Sequence, residues 1–198
     1  MSSIAEIKTN CVYPVNATGD DTYQSARLDA ATHVFILISY EHHEIHAGRH
    51  FFYSDYDSEV DTGTPKYYRI TTPNTARWAH MTFTLYSEGI GTWQLFENPT
   101  VNAAGTPATL YNNDRNSVNA ATVVIAPDPT STADGTLLQT WRTGSGTTAP
   151  SRIGSESSRD KEIMLKQNED YFLKFTPDAD NARTKLELEW YEHINKTA

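Results

Sequence analysis

Four of the seven histidines, His42, His43, His46 and His50, fall within one short stretch, and that clustering is the strongest lead to chemistry in the chain. Imidazole nitrogens bind zinc and cobalt, and two imidazoles on one face of an element can share an ion. His42 and His46 share a face if the stretch is helical, and His42, Glu44 and His46 share one if it is a strand. The order HHxxH lacks the HExxH arrangement of a metalloprotease helix, and no distant carboxylate stands out as a third ligand. Gly48, following the apolar run that ends near Tyr40, makes the stretch a bend between strands. A structural or surface role is therefore expected, and no metal is assigned.

Asp55, Asp57, Glu59 and Asp61 crowd a second segment. Paired carboxylates hydrolyse glycosides, and oxygen-rich loops hold calcium. Gly63 misses the position that an EF-hand turn requires, and acids alternating at this spacing read as a solvated loop. No Gly-x-Ser-x-Gly elbow, P-loop or dinucleotide-binding glycine pattern occurs. Thr143-Gly144-Ser145-Gly146-Thr147 comes nearest and reads as a loop tip. The expectation is a chain that is not an enzyme and needs no cofactor.

The elements that must position these residues are strands. His33 to Tyr40 is rich in β-branched and aromatic residues, as a buried first strand requires. Further strands are read at 66–71, 77–86, 92–97, 121–126, 137–142, 171–176 and 184–191, each closed by Pro, Gly or Asn. In the last, Leu186, Leu188 and Trp190 alternate with Lys185, Glu187 and Glu189, the pattern of a sheet with one dry and one wet face. Ala79, Met81, Phe83 and Leu85 alternate in the same way with Trp78, His80, Thr82 and Thr84. The one helix candidate, Ser157 to Gln167, is short and reads equally as a loop running into a strand. The expected architecture is all-β, a β-sandwich of jelly-roll type over residues 32–198, preceded by an irregular N-terminal arm over 1–31.

At 198 residues the chain is long enough for one such domain with a real core. Sixteen Lys and Arg against twenty-five Asp and Glu give 16 − 25 = −9, which argues against a nucleic-acid partner because phosphate binding needs clustered cations. Cys11 stands alone, which excludes an internal disulfide framework and points to folding in a reducing cytoplasm. The first ten residues hold no apolar signal core, and Val34 to Ile38 is far too short to span a bilayer, so neither secretion nor a membrane partner is expected.

Five blocks carry a family likeness: SYEHHEIHAGRHFF at 39–52, TTPNTARWAHMTFTL at 71–85, YNNDRNSVNAATVVI at 111–125, DKEIMLKQNEDYFLKF at 160–175 and LEWYEH at 188–193. Together they resemble a family of tailed-bacteriophage virion structural proteins. The resemblance implies a capsid decoration, or cement, protein at the virion surface, folded in the host cytoplasm. Its implied partners are the major capsid protein and copies of itself, with a trimer favoured. It supplies no catalytic residues. Val12, Tyr13 and Val15 in the arm are the candidate capsid contacts, since an arm that orders on binding can wrap a large surface. The alternative is a tail- or fibre-associated module that binds host-surface glycans through loop aromatics such as Tyr111, beside Asn112, Asn113 and Arg115.

Overall fold

The computed structural model describes residues 10–14, 23–27, 39–144 and 161–194. In chain order these form β1 (Asn10–Pro14), β2 (Tyr23–Arg27), α1 (Tyr40–His46), β3 (His50–Val60), β4 (Lys66–Thr71), β5 (Arg77–Glu88) and β6 (Gly91–Glu97). They continue with β7 (Thr100–Ala103), β8 (Tyr111–Asn112), β9 (Val124–Pro127), β10 (Thr130–Ala133), β11 (Thr136–Thr143), β12 (Ile163–Met164), β13 (Asp170–Pro177) and β14 (Ala182–Ile194). The chain divides into two compact units, 1–40 and 41–198. In the first, β1 and β2 pair antiparallel, with Asn10 opposite Arg27, so the segment read as an irregular arm contains a two-stranded ribbon. The strand expected over 33–40 lies outside the described residues except at Ser39 and Tyr40, and Tyr40 begins α1.

The second unit is an all-β sandwich of two five-stranded antiparallel sheets. One runs β12-β5-β14-β3-β8 and the other β11-β6-β13-β4-β9, while β7 and β10 form a separate ribbon. Each of β3, β5 and β14 is followed or preceded in the chain by a strand of the opposite sheet, so most connections cross between sheets. The inner faces supply an aromatic core. Tyr68, Trp93, Phe83, Tyr171, Phe175 and Trp190 are all buried, and Trp93 packs on Phe175 with ring centroids 4.8 Å apart. The alternation read from β5 and β14 holds: Met81, Phe83, Leu85, Leu186, Leu188 and Trp190 all lie inside.

The acidic segment is not a loop. Asp55, Asp57 and Glu59 lie on β3, an eleven-residue strand whose register with β14 places Asp55 opposite Leu186. Phe51 and Tyr53 fill the core, and Asp55 and Asp57 continue the same side of the strand toward its end. There the carboxylates meet donors: Tyr68 Oη donates to Asp55 Oδ2 at 2.9 Å, and Lys66 Nζ lies 3.3 Å from Asp57. Burial and Asp55 together raise the Tyr68 pKa, so its hydroxyl stays a donor. Of the candidate segment 157–167, the described part, 161–167, holds the short strand β12, the loop-into-strand alternative of the two readings.

Glu192 closes one end of the core. It lies on the same side of β14 as Trp190 and is 2% exposed, with no cation bonded to it among the described residues. Four donors satisfy it: the Thr122 amide at 2.9 and 3.1 Å, Thr122 Oγ1 at 2.5 Å, the Val123 amide at 3.1 Å and Trp190 Nε1 at 3.1 Å. These bonds tie the long connection after β8 to the central strand. Replacing Glu192 by Ala strands buried donors, each of which costs roughly 1–3 kcal/mol. Glu192→Ala is expected to lower unfolding stability by about 3 kcal/mol or more, read as a fall in the urea midpoint at constant slope. A loss below about 1 kcal/mol contradicts this role for the carboxylate.

Candidate functional site

The histidine stretch is a helix rather than the expected bend. Tyr40–His46 forms α1, with Glu41 in its first turn and His43 and His46 in its last, a charge order that suits the helix dipole. Gly48, at φ +65°, ends it: the Gly48 amide donates to Ile45 O and the Arg49 amide to Glu44 O, both at 2.9 Å. This is the Schellman pattern, with glycine in the left-handed position. Asn112 Nδ2 and Asn119 Nδ2 add bonds to Gly48 O at 2.9 and 3.1 Å. A side chain at Gly48 would also strike Ser117, whose Oγ lies 2.3 Å from the place its Cβ would take.

Beneath α1, on the outer face of its sheet, His50, Tyr191 and His80 stand directly opposite one another across β3, β14 and β5. All three are buried. The His80 and Tyr191 rings stack at 4.7 Å and 15°, and His193, two residues along β14, lies 4.4 Å from His80. Glu162, just before β12, accepts from Tyr191 Oη and from His80 Nδ1, each at 2.9 Å. The carboxylate can only accept, so it sets the His80 proton on Nδ1. The helix adds carboxylates from above: Glu41 Oε1 lies 3.4 Å from His50 Nε2, and buried Glu44 receives His43 Nδ1 at 3.2 Å. Six of the seven histidines thus gather at this end of the sandwich, and His33 lies outside the described residues.

The layer is a polar packing surface. His50, Tyr191 and His80 are all buried, and Glu41 of α1 reaches this row at His50. Among the described residues no three His, Cys, Asp or Glu side chains converge on a position for a metal ion. Sequence reasoning separated His80, Glu162 and His193 from the histidine stretch because nothing local links them. The usable signal was the outward placement of His80 on β5, read correctly but not connected to its neighbours.

Other expected sites distribute as follows. Val12 and Tyr13 lie on β1, whereas Val15 and the stretch 145–147 lie outside the described residues. Tyr111 is 44% exposed, but its ring packs on Phe52 at 5.7 Å and carries the Arg115 guanidinium 5.0 Å from its centroid. Arg115 therefore staples its own loop. A groove of about 430 Å³ lies elsewhere on the same sheet face, lined by Tyr56, Tyr86, Glu88, Arg183 and Lys185.

The five blocks quoted above come together in space. Glu192 bonds residues 122 and 123, Asn112 caps Gly48, the Leu165 amide donates to Ala79 O, and Thr72 Oγ1 donates to Lys166 O. Each of these bonds joins two different blocks. No family model, curated protein or solved structure matches the chain. Function is therefore argued from these residues and their geometry.

Burial, and then the adjacent His80, hold the His193 pKa below its ordinary 6.5, against the pull of Glu44 and Glu162. The unfolded chain therefore takes up this proton first as pH falls. Stability is fully present above about 6.5 and is lost as pH drops through the lowered folded value. Urea midpoints should fall between about pH 7.5 and 5.5, and His193→Phe should flatten the fall while keeping the ring stack. A variant with the wild-type slope removes His193 from the account.

Proposed function

We propose that the chain is a structural protein of a tailed-phage virion, a decoration protein that adheres to the assembled capsid through protein–protein contacts. The observation that carries the reading is the convergence of five separated, family-like blocks on one end of the sandwich, where each is bonded to another. Shared blocks that build one rigid end suit a protein whose work is presenting a fixed surface.

The wiring supports the same reading. Taken in chain order, β3, β4, β5, β6, β11, β12, β13 and β14 give one sheet in the order first, eighth, third, sixth and the other in the order second, seventh, fourth, fifth. We read this as a jelly roll with β8 and β9 added at the edges, an architecture used by viral capsid and lectin domains. Architecture alone does not separate those two uses. The groove between Tyr56 and Tyr86 favours a second reading, a glycan-binding module on a tail or fibre, since an exposed ring at Tyr56 and a half-buried one at Tyr86 beside charged and polar groups suit a sugar.

In the first reading the major capsid protein is the partner, a self-associated trimer is the bound form, and Val12, Tyr13 and Val15 are the anchors. Quantitative analysis of purified virions should find hundreds of copies of the chain. Changing Val12, Tyr13 and Val15 together to Ser should cut occupancy on isolated heads at least tenfold while leaving the unfolding transition of the sandwich in place. Copy numbers of a dozen or fewer turn the assignment to the tail, and full occupancy by the triple variant removes those anchors.

A further inference from the structure

The outer face of α1 turns two histidines to solvent, one helical turn apart. His42 and His46 are both exposed, their Nε2 atoms lie 2.9 Å apart, and their rings meet edge to face with centroids 4.7 Å apart. We propose that His42 and His46 form a bidentate surface site for a divalent transition-metal ion, with copper(II) preferred. Two imidazole nitrogens, each about 2.0–2.1 Å from one ion and at a right angle, stand about 2.9 Å apart, whereas a tetrahedral angle spreads them to about 3.3 Å. The observed separation matches the right angle of tetragonal copper(II) and nickel(II) sites. A small rotation of the two rings turns both lone pairs toward one ion in place of the hydrogen bond between them. Water completes the coordination, since no third protein ligand converges there among the described residues.

The arrangement is held in place before any ion arrives. A helix of seven residues does not persist in water unaided. This one is closed by the Schellman pattern at Gly48, capped by Asn112 and Asn119, and held to the sheet by Glu41 against His50. Binding therefore orders little that is not already ordered, which favours affinity. His43 turns its Nδ1 to Glu44, and His50 is buried, so neither is part of the pair. The site is independent of the virion reading and stands or falls separately from it.

The test uses the untagged full-length chain and the ions alone. Titration calorimetry with Cu²⁺, Ni²⁺ and Zn²⁺ near neutral pH should show one ion per chain, with copper tightest, as the divalent series predicts. His42→Ala and His46→Ala should each weaken copper binding at least tenfold, and His43→Ala should leave it within twofold. Electron paramagnetic resonance of the copper-loaded wild-type protein should show two coordinated ring nitrogens, a readout that needs no variant. Copper binding that survives either His42→Ala or His46→Ala, that falls as far in His43→Ala, or that shows fewer than two ring nitrogens overturns the assignment.

Discussion

A carboxylate buried without a cation must be surrounded by hydrogen-bond donors, and much of this sandwich is arranged around that demand at Glu192. Two of its donors are backbone amides, at Thr122 and Val123, so the connection after β8 must return to the end of β14 in one conformation. That connection carries Asn119 and follows Asn112 at the end of β8; the amides of both hold Gly48, and Gly48 ends α1. The helix then sets Glu41 against His50, and Glu44 acts electrostatically on His193. One charged group at the edge of the core thereby fixes a chain of contacts that ends at the surface histidines.

The parts of this fold that were legible in the sequence are those in which side-chain period and burial agree. On β5 and β14, apolar residues alternate with polar ones over long runs, and the sheet buries the apolar set. β3 broke the rule because the inner side of its second half is occupied by Asp55 and Asp57, which pair with Tyr68 and Lys66 from the opposite sheet. A pattern of apolar residues cannot register a carboxylate whose partner lies on another strand. β8 and β12, two residues each, exist only because β3 and β5 present free edges to them, and no local pattern announces that.

The candidate site was half legible for a related reason. Clustering drew attention to His42, His43, His46 and His50, and the shared face of His42 and His46 was foreseen for a helix. The choice of a bend rested on Gly48, yet a glycine just after a residue run with an acid in its first turn and bases in its last is equally a helix stop. His80, Glu162 and His193 come from three other segments, and only the registers of β5, β12 and β14 bring them together beside His50. Residues 30 to 150 positions apart in the chain carry no mutual signal in a single sequence.

The two faces of α1 divide its histidine chemistry by solvent access. On the sheet His50 and His80 are buried, with Glu41 3.4 Å from His50 and Glu162 bonded to His80. The outer face leaves His42 and His46 exposed, where a bound ion keeps water as its remaining ligands. A helix this short cannot hold both arrangements by its own backbone, so each depends on the docking that Gly48, Asn112 and Asn119 enforce. Loosening that docking would hydrate the inner layer and widen the outer pair at the same time. Burial below and ligand geometry above are therefore two consequences of a single fixed helix position.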